Sequence, residues 1–235
     1  GIAIALKDWF MSIFGWMVIV TSGSIQVGDR IKVNKGNVET VGDVLDISLF
    51  KITIREDITL TSYMVNRRSG RIFFIPNNYI FSELIANYTH SGLRTVWDGI
   101  DITITFDSNH KKAQKIARDI LKHYSKGYTD ITRKQLSKMR NKYQLRATGV
   151  EPRVFTFVEP HGIVISSWYL TNSYAALVLR STISPEILDA FMKEDDIHIA
   201  YPTQQININR TDNAYGVSSK RREQPKDLED EIIRR

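Results

Sequence analysis

The stretch Val27-Gly28-Asp29-Arg30-Ile31 divides two kinds of sequence, and this division decides the fold. Residues 1–20 before it are mainly apolar, and as a helix they would span about 30 Å, close to the thickness of a bilayer core. Lys7 and Asp8 interrupt the apolar run, and such a pair is costly on a helix that faces lipid. The pattern therefore predicts a helix that lines a water-filled path or lies at a membrane interface. The alternative is a buried amphipathic helix of a soluble domain.

The sequence after this stretch, at residues 25–88, has the pattern of a small β-barrel. Phe50, Ile52 and Ile54 alternate with polar residues, which is typical of a strand with one buried face. Turn signals separate several short runs that are rich in β-branched and aromatic residues. The predicted strands lie at Ile31–Val33, Val41–Ile47, Phe50–Ile54 and Ile72–Ile75. Four or five short strands suit a barrel, which we assign to residues 23–90.

A third segment, residues 91–208, has the order β-α-β-β-α-β of a ferredoxin-like α+β domain. Asp107 or Ser108 is placed to cap its first helix, and residues 132–146 form a basic stretch with helical character. The predicted strands and helices are Ile100–Phe106, Ala113–Tyr124, Arg153–Val158, Gly162–Leu170, Tyr174–Lys193 and Ile197–Ala200. Half of residues 212–235 are charged, so we predict a disordered or loosely helical tail over residues 209–235.

Composition argues against catalysis. The 235 residues include no cysteine, which excludes a disulfide framework, a thiolate metal site and a cysteine nucleophile. The five histidines lack metal-ligand spacing, and the common nucleotide-binding and hydrolase motifs are absent from the sequence. We therefore predict no catalytic residue, no metal site and no cofactor. The net charge of +6 favours anionic partners or reflects a basic surface.

Several short motifs occur along the chain in an order that is typical of a known protein family. They are Gly15, Gly28-Asp29, Gly42, Ile75-Pro76-Asn77, Asn87-Tyr88-Thr89 and Ile197-His198-Ile199-Ala200-Tyr201-Pro202. With the preceding apolar helix, this set resembles the small-conductance mechanosensitive channel (MscS) family, from residue 1 to about residue 208. The chain departs from the family where its pore helix has Leu6, Lys7 and Asp8 in place of the usual glycine kink. Its loop at residues 56–70 is also longer than usual.

The resemblance implies a fold and an assembly. We expect a pore-lining or interfacial transmembrane helix at residues 1–22, an Sm-like barrel, and a ferredoxin-like vestibule domain. Family members are mostly homoheptamers, so we expect a ring-forming oligomer. The ring would lie in the inner (cytoplasmic) membrane with its β and α/β domains in the cytoplasm. The implied function is an ion channel that membrane tension opens, which releases ions and small osmolytes during hypo-osmotic shock.

The resemblance also assigns roles to single residues. Ile2 and Leu6 would form an apolar gate, and Gly15 would be a flexible point of the helix. Four aromatic residues would lie at the membrane interface, or equally would pack against the β domain: Trp9, Phe10, Phe14 and Trp16. Four further residues would shape the barrel: Gly28, Gly42, Pro76 and Asn77. Asn77 and Asn78 could also cap a short helix that begins at Tyr79.

Two other functions remain open on the sequence. A small barrel on a basic chain could be a ring-forming RNA-binding protein. However, the sequence carries no basic-Gly-aromatic strand signature of RNA-recognition motifs, so we predict that nucleic acid is not a partner. A non-conducting membrane scaffold is the third possibility. Membrane lipids, permeating solutes and further copies of the chain are the expected partners.

Overall fold

The N-terminal segment forms a single helix, α1 (Ile2–Ser22), as predicted. The computed structural model describes residues 2–59, 68–143 and 149–201, and the side chains of all but 2–5 and 141–142 among them. Ser12, Gly15 and Ile19 are buried, and their spacing of three and four residues places them on one side of the helix. This side of α1 packs against the β domain, because Ile19 belongs to that domain's hydrophobic core.

The transmembrane character that we predicted for residues 1–22 is not seen. Within the described ranges, no helix combines the length and the apolarity that a membrane crossing requires. Lys7 and Asp8 interrupt the apolar sequence of α1.

The β domain is a five-stranded antiparallel sheet in the order β4-β3-β2-β1-β5, with β4 and β5 at its edges. Alternating residues of the strands form its core, which includes Ile31, Val33, Ile52 and Ile54. Four of the strands were predicted, whereas β5 was not located. The elements are β1 (Arg30–Lys35), β2 (Val38–Ile47), β3 (Lys51–Glu56), β4 (Ile72–Pro76), the one-turn helix α2 (Tyr79–Ser82) and β5 (Leu84–Asn87).

The α/β domain consists of a three-stranded antiparallel sheet in the order β6-β8-β7 and two helices. The helices α3 and α4 cover one face of this sheet, where Ile104, Leu121, Tyr169 and Ile187 join one core. The elements are β6 (Thr95–Ile104), α3 (His110–Tyr143), β7 (Arg153–Glu159), β8 (Gly162–Asn172) and α4 (Ala176–Met192). Pro185 lies inside α4, which continues through it.

The predicted last strand, Ile197–Ala200, is wrong in extent. It is reduced to a single bridge between Ile199 and Ile104, at the edge of β6. The reason is a competing side chain, because the His198 N–H donates to Ser108 Oγ (2.9 Å) rather than to the sheet. The chain still runs along β6, so the ferredoxin-like order is kept.

The first helix of this domain is longer than predicted. Residues 113–124 and the basic stretch after them form one continuous helix, α3, of 34 residues. Polar residues continue its buried side beyond the apolar part, at Ser125, Thr129 and Thr132. The predicted cap is also wrong, since Asn109 Oδ1 accepts the N–H of Lys112 (3.1 Å) and Ser108 is engaged with His198.

Candidate functional site

Helix α1 meets the β domain at Gly15. This residue is buried against the backbone of Asn77, just after β4. A methyl group added to Gly15 would lie 2.3 Å from the carbonyl oxygen of Asn77 and 2.7 Å from its carbonyl carbon. Only glycine lets two backbones approach so closely. The structure therefore places Gly15, for which we predicted flexibility, in a close packing contact.

Asn77 holds the other side of this contact. Its side chain is fully buried, and its Nδ2 donates to the carbonyl oxygens of Ser48 (2.8 Å) and Leu49 (3.0 Å). Its N–H donates to the carbonyl oxygen of Phe50 (3.0 Å). Asn77 thus ties the end of β4 to the β2–β3 loop beneath α1. We call Gly15, Asn77 and residues 48–50 the α1 seat.

The capping role expected for Asn77 and Asn78 is wrong. The side chain of Asn78, at the start of α2, makes no capping hydrogen bond. The amide of Asn77 is instead occupied by the β2–β3 loop. Tertiary hydrogen bonds, which leave no local pattern in the sequence, therefore took the place of a local cap.

The aromatic residues of α1 divide between the seat and the solvent-exposed surface. Trp9 stacks on Phe50 of the seat, with ring centroids 5.4 Å apart and an angle of 29° between the rings. Phe10 and Phe14 are about half exposed, whereas Trp16 is partly buried. Packing against the β domain is therefore observed for Trp9. The sequence did not predict Phe50 as a stacking partner, although Phe50 belongs to the apolar alternation that predicted β3.

The two residues predicted for the gate lie at the beginning of α1. Ile2 starts the helix, and its side chain is outside the described part of the structure. Leu6 is 46% exposed. It precedes Gly15 by nine residues, or about 14 Å along the helix axis. The predicted gate and the α1 seat are therefore separate regions of one helix.

Gly28 and Gly42 occupy positions that favour glycine for different reasons. Gly28 has a φ of +89°, in the left-handed region. A methyl group added to Gly42 would lie 2.4 Å from the carbonyl oxygen of Arg55, because β2 and β3 approach closely there. Pro76 ends β4 and positions Asn77.

Asp29 joins two motifs that are distant in the sequence. Its carboxylate accepts hydrogen bonds from Asn87 Nδ2 (2.8 Å), from Thr89 Oγ1 (2.9 Å) and from the N–H of Gln26 (2.8 Å). Asn87 Nδ2 also donates to the carbonyl oxygen of Ser24, two residues after α1 ends. The motifs Gly28-Asp29 and Asn87-Tyr88-Thr89 are thus one hydrogen-bonded cluster beneath the end of α1.

Arg30 connects the β domain to the α/β domain, and the sequence reading did not single it out. Its side chain is only 7% exposed and binds Asp43 through two hydrogen bonds (2.8 and 2.9 Å) and Asp57 at 2.6 Å. Its Nη1 also donates to the carbonyl oxygen of Ser173 (2.8 Å), and its guanidinium lies 4.4 Å from the ring centre of Tyr174. We call these five residues the Arg30 junction.

The Arg30 guanidinium stays charged in spite of its burial. Burial by itself lowers the pKa of Arg30, but the hydrogen bonds that Arg30 donates to Asp43 and the charges of Asp57 and Asp43 raise it by more. The net pKa of Arg30 is therefore above its ordinary value. A cation between two carboxylates, joined to a carbonyl of the next domain, can hold the domains together but offers no catalytic group.

A cleft of about 550 Å³ opens beside this junction. Tyr88, Trp97 and Tyr174 contribute aromatic walls, and Arg180 contributes a charged one. Arg180 is already engaged by Asp98, which also accepts the hydroxyl of buried Tyr169 (2.9 Å). Among the residues that the structure describes, no group of three or more histidine and acidic side chains could hold a metal ion.

Comparison with known proteins agrees with this architecture. Residues 8–90 match the model of the mechanosensitive ion channel β-domain, and residues 98–194 match that of the MscS C-terminal domain. No curated protein matches the chain.

Solved structures of low sequence identity have the same fold. The closed-state MscS crystal structure from Helicobacter pylori is 16% identical with a TM-score of 0.59, over 88% of this chain and 68% of that one. The cryo-EM structure of MSL1 from Arabidopsis thaliana is 13% identical with a TM-score of 0.53, over 85% of this chain and 61% of that one. The chain thus spans about three fifths to two thirds of these structures. With both domain models matched in order, the chain belongs to the MscS-like family of mechanosensitive channels and carries its β-domain and C-terminal domain.

Proposed function

We propose that this protein is an ion channel that opens under membrane tension and releases ions and small osmolytes during hypo-osmotic shock. The observation that carries the proposal, beyond membership of the family, is the α1 seat, where a helix with an exposed apolar surface is fixed to a folded β domain. The functional assembly would be a ring of identical chains, with seven copies as in most family members. It would lie in the inner membrane with the β and α/β domains in the cytoplasm.

In this proposal the first two turns of α1 form the gate. Ile2 and Leu6 are four residues apart, so they share one side of the helix. A ring of such residues would make a narrow apolar constriction, which blocks ions by excluding water. The exposure of Leu6 supports this role, since an apolar side chain that is 46% exposed in its own subunit can line a pore between subunits.

The aromatic residues of α1 would connect the membrane to the gate. Phe10 and Phe14 are exposed and could contact lipid, where aromatic residues are favoured. Trp9 would transmit a movement of α1 to the α1 seat, because its ring stacks on that of Phe50. Gly15 would act as the flexible point only after α1 lifts away from Asn77, since the helix is continuous through it.

Patch-clamp recording from liposomes that contain the purified protein tests the proposal. We expect currents that appear with suction and disappear on its release. A Leu6→Asn variant should open at lower tension, because a polar constriction wets more easily. Val38→Asn is the matched control, since Val38 is an exposed apolar residue of the β1–β2 hairpin, and its threshold should not change.

Two outcomes would contradict the proposal. Currents that do not depend on suction would exclude gating by tension. An assembled ring without ion flux would exclude conduction and would favour the non-conducting scaffold.

A further inference from the structure

The linker between the two domains has an unusual backbone conformation. The chain passes from β5 to β6 through one 3-10 turn, His90–Gly92, in which Ser91 has φ +55° and ψ +29°. Ser91 is the one residue other than glycine with a positive φ among those that the structure describes. A serine in the left-handed region is strained and persists only where its surroundings hold it.

The C-terminal half of α3 contacts the linker and the start of β6 through three side chains. Gln135 Nε2 donates to the carbonyl oxygen of Gly92 (2.7 Å). The Tyr143 hydroxyl lies 2.6 Å from His90 Nε2. The hydroxyls of Thr132 and Thr95 are 2.6 Å apart in a buried contact at the start of β6. The intervals of three and eight residues place Thr132, Gln135 and Tyr143 on one side of the helix.

We propose that the Gln135 and Tyr143 contacts form a clasp that fixes the linker, and that opening the clasp lets the β domain and the α/β domain turn about residues 91–92 while the Arg30 junction still joins them. The α3 clasp comprises Gln135 and Tyr143 with their partners on the linker, Gly92 and His90. It is a mechanical property of this chain and does not depend on ion conduction. The clasp joins the C-terminal end of α3, a helix of 34 residues, to the linker that follows β5.

The positions of the contacts make the clasp reversible. The Gln135 and Tyr143 contacts lie at the surface, where water can replace each hydrogen bond, so breaking them does not disturb a core. The Thr132 contact is buried and would keep α3 on its own sheet. The clasp can therefore open at the linker while the α/β domain stays folded.

The Gln135→Ala/Tyr143→Phe double variant tests the clasp against a close control on the same helix. Gln114→Ala/Tyr124→Phe removes the same chemical groups from α3, but these groups bond to Val154 and Glu186 inside the α/β domain. Hydrogen exchange by mass spectrometry should report faster exchange at the Gly92 and Leu93 amides, which close the linker turn. We expect about a tenfold increase for the clasp variant, as the loss of two hydrogen bonds implies, and no change there for the control.

Spin labels measure the domain movement directly. The sequence contains no cysteine, so Asn37→Cys and Lys122→Cys give one label on each domain. We expect the distribution of distances between the labels to broaden in the clasp variant only. If the double variant fails to fold, Gln135→Ala alone provides the same readouts. Unchanged linker exchange together with an unchanged distance distribution, or equal changes in the control, would overturn the proposal.

Discussion

The β domain is joined to its two neighbours by contacts of opposite character. Towards α1, the α1 seat is a close approach of two backbones, without charge, at Gly15 and Asn77. Towards the α/β domain, the Arg30 junction is a buried cation between carboxylates and a carbonyl oxygen. The first contact depends on the volume of side chains, and the second depends on their charge. The same β domain can therefore be uncoupled from either neighbour by a different kind of change.

The largest expected effect is on the Arg30 junction. Arg30→Ala leaves Asp43 and Asp57 without their shared cation and leaves the Ser173 carbonyl without its donor. Because the carboxylates are partly exposed, we expect a loss of about 3 kcal/mol of unfolding free energy, at the low end for a broken buried pair. Urea denaturation followed by circular dichroism measures it. Arg133→Ala removes only exposed ion pairs and should cost below about 1 kcal/mol. Equal losses in the two variants would remove the special role of Arg30.

The α1 seat should respond to the addition of a single methyl group. Gly15→Ala forces α1 away from Asn77, and we expect a loss of about 2 kcal/mol, as for other overpacked contacts. Gly127→Ala in α3 is the control, because that glycine has open space around it and alanine is the better helix former. The control should gain up to about 1 kcal/mol. A gain in both variants, measured by the same urea titration, would mean that the seat is not tightly packed.

The hydrogen bonds of the α1 seat should contribute somewhat less to the free energy of unfolding than the close packing at Gly15. Asn77→Ala removes two donors from the carbonyls of Ser48 and Leu49, and we expect a loss of about 1.5 kcal/mol. Asn78→Ala should be nearly neutral, because the buried Asn78 Oδ1 has no hydrogen-bond partner. Thermal unfolding of the two variants gives the comparison. An equal effect at both positions would contradict the role assigned to Asn77.

The smallest expected effect is on the pH dependence of stability, which should come from ionic contacts and not from the α1 seat. The hydrogen bond from Arg71 lowers the pKa of Glu56 below its ordinary value. The stability that this pair contributes is therefore present above the unfolded pKa of Glu56, and it is lost as the pH falls through the lower folded pKa. The difference in urea midpoint between the wild type and Glu56→Gln should shrink between about pH 7 and about pH 3. The loss caused by Gly15→Ala should be the same at both values, and a change in it would contradict the neutral character of the seat.

The sequence predicted those elements that local periodicity specifies. The alternation of Phe50, Ile52 and Ile54 located β3, and the apolar repeat after Ala113 located the first half of α3. The second half of α3 was predicted less firmly, because Ser125, Thr129 and Thr132 continue its buried side with polar residues. The last strand was overestimated because the His198 N–H donates to the Ser108 side chain instead of to the sheet.

The contacts between elements were not predictable in the same way. Gly15 and Asn77 were both noticed, but their contact depends on how α1 lies on the sheet, and no local pattern encodes that. The Asp29 cluster was closer to prediction, since both of its motifs had been recognised from the resemblance. Arg30 was missed because an arginine at the start of a strand looks like a surface residue, whereas its partners Asp43, Asp57 and Ser173 are distant in sequence.

The native mass of the protein in detergent, measured by mass photometry, tests the central claim most directly. We expect a closed ring, with seven copies as in most family members, because Ile2 and Leu6 can form a constriction only when several copies surround one axis. A monomer or dimer at the same protein concentration would leave these residues with no pore to close, and it would contradict the proposal of a tension-opened channel.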